Sequence, residues 1–563
     1  MNRTLSEKPG LLWGLAMLLA LAVGVWLRMS QLGHQILLDD EWHAVHKLMQ
    51  ADYRGIFLSF GYADHSIPLT LLFNLLAETI GLSELRMRAL PLLFGLLSLL
   101  VVPWLLKPWL DRRAVLLLTV LLALSPLLIH FSRYVRPYSI TILLGFAAVI
   151  ALWHWWHDED RRWLLVFVPA TILAAWLHPL TLLFTGGALS WFGLIALARW
   201  WRERDPSSLL RLIPVGLASA IPTALLILPP LLTNPVAMTA KTGVHSLRVE
   251  TAFRAWELIT GTASWWVAGP LLIFALIGAV VLFRKDRHFL LYWLYLISVS
   301  LVTIALLSPA WVHHALVPVR YLSVAMPMVL ALIALGMVGT FDGLGKAWNE
   351  SLRFRVTVTT AASIVIIGAL VLTGPLPRIY GQFNQFTNSL NYQFDYDVER
   401  NPFVRASELV PMPEFYHRLA AEPGDWLLIE GPWHFEAHFT PLWNWQRQHG
   451  MELRIGMVSG LCAPWTPGEL RAVEGKRFRF SQFVPLANLP WALADYNRFI
   501  VFHRKPPMTW EIRELPPLEE CYQILLDRLG EPWYEDDRRS VFRLEAGARI
   551  SPDSGPDVAE PHN

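Results

Sequence analysis

Apolar residues occur in long runs over the first two thirds of the chain, and the runs match the ~20 residues that cross a hydrocarbon core. They predict eleven transmembrane helices, near 11–28, 89–106, 114–131, 138–156, 163–179, 181–201, 210–232, 267–283, 289–308, 321–341 and 355–373. From about Gly374 the pattern changes to short apolar runs at 425–429, 453–458 and 499–502, with helical spacing at 434–449. The expected fold class is a mainly α-helical polytopic membrane protein with a C-terminal extracytoplasmic α/β domain. Its expected parts are a transmembrane domain over 1–373 with juxtamembrane helices in 29–88, the α/β domain over 374–545, and a disordered tail over 546–563 rich in Pro, Ser and Asp.

Polar residues between the runs set the direction of threading. Alternate connections carry Arg112-Arg113, Arg161-Arg162, Arg202 with Arg204, Arg284-Lys285 with Arg287, and Lys346 with Arg353 and Arg355. By the positive-inside rule these joints are cytoplasmic. The rule holds only if the apolar stretch 67–82 does not span. That stretch is short, contains Asn74 and Glu78, and reads as a helix lying on the outer membrane surface. Eleven crossings from a cytoplasmic N-terminus leave the C-terminal domain outside, as in a protein of the bacterial plasma (inner) membrane. No small-residue cleavage site follows Trp26-Leu27-Arg28, so the first run is read as a retained helix.

Composition agrees with this. Charged residues are 16% of 563 positions and hydrophobic residues 54%, against roughly 25% charged in soluble chains. The net charge of +2 follows topology and carries no information on nucleic acid; with no basic patch or tail there is no nucleic-acid footprint, and no nucleic-acid partner is expected. Both cysteines, Cys462 and Cys521, fall in the expected outer domain. They are compatible with a disulfide in an oxidising compartment or with two unrelated buried thiols.

Candidate chemistry gathers on the outer side. The first outer loop reads Asp39-Asp40-Glu41-Trp42-His43-Ala44-Val45-His46-Lys47. On a helix, Leu38, Trp42, Val45 and Met49 share one face, with Asp40, His43 and Lys47 opposite. Asp39 or Asp40 can equally cap that helix, and a capped end is a rigid place to hold a carboxylate. Farther on stand His65-Ser66-Ile67-Pro68-Leu69, Arg86-Met87-Arg88 before the second span, and Ser125-Pro126 with Arg133 and Arg136-Pro137-Tyr138 around the end of the third. Arginines near hydrocarbon imply a partner, and a guanidinium suits a phosphate. Arg88 and Arg136 are read as such ligands, and Arg86 and Arg133 as snorkelling to the interface.

These segments in this order resemble the GT-C superfamily of membrane glycosyltransferases, in particular protein O-mannosyltransferases and lipid A aminoarabinose transferases. The resemblance is carried by the Asp-Glu pair after the first span, the His-x-x-Pro-Leu segment, Arg88, the Ser-Pro…Arg-Pro-Tyr stretch, and Arg320-Tyr321-Leu322 before Met326-Pro327. It covers about 1–340. His65-Ser66-Ile67-Pro68 departs from the usual His-Pro-Pro, and no Asp follows the third span.

The resemblance implies sugar transfer from a polyprenyl-phosphate carrier to a protein, lipid or glycan acceptor on the outer face. Asp40 then matches the catalytic base and Glu41 the second acid. The implied substrate-binding set is Asp39, His43, His65, Arg88, Arg136, Tyr138, His178, Arg320 and Tyr321. Displacing a lipid phosphate from an anomeric carbon calls for a base on the nucleophile and positive charge on the departing group, which these residues supply. No cofactor is indicated. His313-His314 does not read as a metal pair, because neighbours on a helix do not face one site, so no metal is assigned and a divalent cation is not indicated.

The basic stretch Lys241, His245, Arg248 and Arg254 reads either as a flap over carrier or acceptor or as a solvated loop. Two other function classes compete. A lipid-linked sugar transporter or flippase would place charges at the bilayer midplane and show internal repeats, whereas these charges sit at span ends. A non-catalytic glycan-assembly subunit would leave Asp39-Asp40-Glu41 dispensable.

Overall fold

The computed structural model describes residues 10–30, 32, 41–60, 66–236, 240–347, 351–381, 411–433, 445, 448–457, 475–477, 484–485, 495–505 and 518–547. Asp39, Asp40, His65, Cys462 and the tail beyond Gly547 lie outside the described residues.

The bundle follows the apolar runs. Its helices are α1 (Leu11–Met29), α2 (Trp42–Gln50), α3 (Tyr53–Phe57), α4 (Ile67–Thr79), α5 (Glu84–Leu106), α6 (Arg112–Leu124), α7 (Pro126–Arg133), α8 (Tyr138–Asp158), α9 (Leu164–Leu177), α10 (Leu182–Glu203) and α11 (Ser207–Thr233). Then come α12 (Val249–Thr260), α13 (Trp265–Lys285), α14 (Arg287–Leu307), α15 (Leu316–Leu322), α16 (Met326–Ala347), α17 (Leu352–Thr373) and α18 (Leu376–Gly381). Among the described residues, nine helices are long and apolar enough to cross a membrane, or ten when α6 and α7 count as one bent span.

The fifth predicted span, 163–179, is the 14-residue α9, which follows directly on the 3-10 turn Arg161–Trp163. It ends where His178 takes an extended conformation (φ −155°, ψ 106°) before Pro179, because the proline ring disfavours helical geometry in the residue ahead of it. The stretch predicted not to span forms the 13-residue α4, too short to cross.

Packing is tightest between α13 and α16. A Cβ on Gly278 would lie 1.8 Å from the Leu332 carbonyl oxygen, and one on Gly336 would lie 1.7 Å from that of Phe274. Only glycine permits this backbone approach. At the basic end of the bundle Arg113 pairs with Asp342 at 2.5 Å, and the Trp109 indole, stacked on Phe289 at 3.7 Å, donates to Asp286.

The C-terminal region carries α19 (Phe415–Ala421), α20 (Leu518–Leu529) and strands β1 (Trp426–Trp433), β2 (Glu452–Met457), β3 (Val484–Pro485), β4 (Asn497–His503), β5 (Tyr534–Glu535) and β6 (Arg539–Leu544). They form one sheet in the order β3-β2-β1-β4-β6-β5. The β3, β2, β1 and β4 strands run parallel, while β6 is antiparallel to β4 and β5. Alternate residues of a strand face opposite sides. Leu428, Phe499 and Val501 accordingly belong to one core cluster with Phe415 and Leu419 of α19, and Leu427, Ile429 and Ile500 to another with Tyr522 and Leu525 of α20. The first of these clusters is continuous with Val45 and Leu48 of α2 and Phe73 of α4.

On that face Glu430 is fully buried. One of its oxygens, Oε2, accepts from the Tyr416 hydroxyl and is paired with His503 Nε2, each at 2.7 Å. The expectation of a mainly helical membrane protein with an α/β C-terminal region is borne out, the β5–β6 hairpin being an addition that the apolar runs did not signal.

Candidate functional site

Construction of the site begins with a proline. Pro126 has no N–H to offer the carbonyl four residues back, that of Leu122, and the chain bends by 56° between α6 and α7. Arg28, near the end of α1 and 1% exposed, fills the gap. Its guanidinium donates to Leu122 O at 2.9 Å, Ala123 O at 3.2 Å and Gly24 O at 3.0 Å, and through Nε to Ser132 Oγ at 3.2 Å.

The last carbonyls of α1 would themselves be unpaired. Arg133 takes them, with one terminal nitrogen donating to Leu27 O at 3.1 Å, Arg28 O at 3.4 Å and Ser30 O at 2.7 Å. The Tyr380 hydroxyl of α18 also donates to Leu27 O. Arg133 is 1% exposed, which overturns the snorkelling reading: its donors turn inward to carbonyls at the end of α1. Arg86 is half-buried and donates to Ile80 O and Gly81 O, beyond the end of α4.

Arg88 stands one turn into α5, whose N-terminus is capped by Ser83. Its Nε donates to the main-chain oxygen of Arg133 at 2.8 Å, and a terminal nitrogen reaches both oxygens of Glu41 at 3.1 Å. Glu41 Oε1 also accepts from the Val135 amide at 2.9 Å. Neither side chain of the pair is exposed.

Glu41 occupies the position immediately before α2 but makes no side-chain cap bond to that helix. Its carboxylate is committed to α5 and to the segment after α7. Residues 27–30 and Glu41 are therefore both fastened to 133–135. Within α2, Val45 of the predicted apolar face is fully buried, as is Leu48, which that face did not include, while His43 and Lys47 are half-buried.

A second group forms beside the first. Tyr138 opens α8, and the Arg320 guanidinium lies over its ring at 5.5 Å. The His178 ring, at the break after α9, is 6.0 Å from Tyr138 and 5.9 Å from Tyr321. Tyr134 connects the two groups, 6.5 Å from Tyr138 and 4.4 Å from His130. Arg136 lies buried between Val135 and this aromatic set in sequence, its amide donating to Tyr134 O at 2.7 Å.

Of the residues predicted from the sequence, the structure brings Glu41 and Arg88 together at one place and Tyr138, His178, Arg320 and Tyr321 together at another. Sequence reasoning missed Arg28 as a structural tie, although an arginine in the last turn of an apolar helix is a signal for one.

The basic stretch 241–254 is pinned. Gly243 and Val244 amides donate to Leu307 O and Ser308 O, and Ala310 N donates to Lys241 O. His245 Nδ1 accepts from Trp311 N, and its ring lies 4.5 Å from that of His313. Burial, then His245 and Arg248, push the His313 imidazole below its usual range. This junction leads directly into α15, which carries Arg320. Among the described residues no group of three or more His, Cys, Asp or Glu side chains is placed to hold a metal ion.

Residues 56–239 match the family model described as dolichyl-phosphate-mannose-protein mannosyltransferase. The resemblance to GT-C membrane glycosyltransferases is borne out over that stretch, which contains Arg88, Arg136, Tyr138 and His178. No curated protein matches the chain in sequence. Among solved structures the chain is similar to ArnT from Cupriavidus metallidurans bound to undecaprenyl phosphate, at 13% identity over 93% of this chain and 97% of that one, with a TM-score of 0.39. It is also similar to the oligosaccharyltransferase AglB from Archaeoglobus fulgidus in complex with an inhibitory peptide and a dolichol-phosphate, at 12% identity over 88% and 69%, with a TM-score of 0.41. No residue role is taken from either likeness.

Proposed function

We propose that the protein is a membrane glycosyltransferase that moves a sugar from a polyprenyl-phosphate carrier to an acceptor hydroxyl on the outer face of the membrane, with inversion. The observation that carries this reading is the match of residues 56–239 to a family that uses a dolichyl-phosphate sugar. The buried Glu41–Arg88 tie supports it, because it fixes the chain next to Asp40.

In the reaction the acceptor oxygen attacks the anomeric carbon, a glycosidic C–O bond forms, and the bond from that carbon to the phosphate oxygen breaks. The acceptor proton passes to the Asp40 carboxylate, and the polyprenyl phosphate leaves with the bonding electrons. Arg136 and Arg320 are the cations assigned to the departing phosphate, where fixed positive charge lowers the barrier. Arg88 serves the site through Glu41, as its partner and positioner. Asp39, His43, His65, Tyr138, His178 and Tyr321 line the donor and acceptor subsites in this reading. The bundle occupies the bacterial plasma membrane with basic joints inside and the region after 374 outside.

Replacing Asp40 with Asn tests the assignment. Transfer from a polyprenyl-phosphate sugar should vanish while insertion and yield stay at the parent level, and a fully active D40N protein would remove Asp40 as the base.

A further inference from the structure

Residues 475–477 leave the C-terminal region and run against the short helices beside the acidic segment. The Arg477 amide donates to Ala77 O at 2.8 Å, its own carbonyl accepts from Leu82 N at 2.8 Å, and its guanidinium reaches Glu78 O at 3.5 Å. Next to it, Lys476 Nζ donates to Leu48 O at 2.6 Å and Ala51 O at 3.0 Å. Leu48 and Ala51 flank the C-terminal end of α2, where carbonyls lack intrahelical donors and the helix dipole presents its negative pole. A cation with several donors satisfies both conditions there. Burial pushes the Lys476 ammonium below its usual range, while Glu78 and Asp52 oppose that shift.

The nine-residue α2 is therefore held at both ends. Arg88 of the bundle holds Glu41 ahead of its first turn, and Lys476 of the C-terminal region holds the carbonyls of its last. We propose that Lys476 is a positioning residue, through which the C-terminal region sets the direction of α2 and hence the placement of Glu41, the residue next to Asp40 in the chain. Its catalytic consequence rests on the function proposed for Asp40. Misplacing a reacting group by about 1 Å can cost about 100-fold in rate, so the far end of so short a helix matters to its near end.

The test uses the full chain in lipid nanodiscs, with Lys476→Gln and Lys476→Arg compared by amide hydrogen exchange and by transfer kinetics. In K476Q the amides of 44–50 should exchange about tenfold faster with those of α8 unchanged, and kcat should fall about tenfold with the donor KM held. K476R, which keeps a cation at the helix end, should restore both. Parent-like exchange over 44–50 in K476Q would overturn the clamp, as would faster exchange spread evenly over the whole chain. Altered exchange with an unchanged kcat would overturn the positioning role. A parent protein that transfers no sugar, with the exchange response of K476Q still present, would overturn the proposed function alone and leave the clamp supported.

Discussion

Arg88 and Arg133 meet through a hydrogen bond from the Arg88 side chain to the Arg133 main-chain oxygen, at 2.8 Å. Two buried guanidiniums thereby sit in sequence along one path, the first compensated by Glu41 and the second by carbonyl dipoles at the end of α1. The path predicts an asymmetry in what each substitution does.

Glu41→Gln removes the negative member of the Arg88–Glu41 pair, whose two side chains are both fully buried. Breaking one side of such a pair costs about 3–5 kcal/mol, whereas replacing both sides by apolar groups is often neutral. E41Q should lower the thermal unfolding midpoint and abolish transfer. The double variant Glu41→Leu with Arg88→Met should recover most of the midpoint and none of the transfer. Recovery of transfer in the double variant would show that the pair serves stability alone.

Arg320 over Tyr138 predicts a split between charge and shape. A cation–π contact of this kind is worth about 0.5–2 kcal/mol, so Tyr138→Phe should be close to neutral, since the ring remains. Arg320→Lys keeps the charge but loses the planar fork of donors, and Arg320→Met loses both. Initial rates against donor concentration should give a KM that rises modestly for R320K and by about tenfold or more for R320M, in line with ~1.4 kcal/mol per decade. An unchanged KM in R320M would take Arg320 out of the donor site.

His449 makes the C-terminal region sensitive to acid. Its Nδ1 accepts from the Met451 amide at 3.0 Å, its ring stacks on Tyr416 at 5.3 Å, and burial brings its imidazole down to about 4. A base whose folded-state value lies below its unfolded value of about 6.5 favours folding in its neutral form. The contribution is complete above about pH 6.5 and is lost as the pH falls towards 4. Denaturant unfolding of this region at pH 7.5 and 4.5, followed by exchange of β1 and β4 amides, should show that loss. His449→Phe should flatten it, and an equally steep pH dependence in H449F would assign the loss to another group.

Gly336 tests the close approach of α13 and α16. A methyl group there would fall 1.7 Å from a backbone oxygen, which cannot turn aside as a side chain would. Gly336→Ala should sharply reduce the yield of monodisperse protein, while Gly269→Ala, where a Cβ meets nothing within 4 Å, should not.

Spans were legible because hydrocarbon imposes a length and a composition on every crossing helix. The short α4 was legible from charge parity, since a crossing at 67–82 would have reversed the placement of Arg112-Arg113. Arg88 was legible as an arginine in need of a partner, but the partner was read as a carrier phosphate, whereas its guanidinium meets Glu41. Arg133 was not, because its acceptors are main-chain carbonyls about a hundred residues away and a carbonyl leaves no trace in side-chain sequence. Lys476 and the buried trio of Glu430, Tyr416 and His503 escaped for the same reason: their partners are set by how separate stretches dock, and local spacing is silent on that. The basic stretch 241–254 was read either as a flap or as a solvated loop, whereas its main chain is paired with 307–310, an outcome decided by backbone donors that every residue type carries.

Two of the three carbonyls that Arg28 satisfies belong to α6, and the hydroxyl it meets is 104 residues further along the chain. During synthesis the first helix is thus made with a cation most of whose acceptors do not yet exist, and at ~5–20 residues per second the wait is roughly 5–20 seconds. Until α6 and α7 arrive, Arg28 has only Gly24 O of its own helix, water and headgroups to serve it, which holds the end of α1 at the membrane surface. The bend at Pro126 is then also a docking signal, since it presents the acceptors that let the first helix settle against the third span.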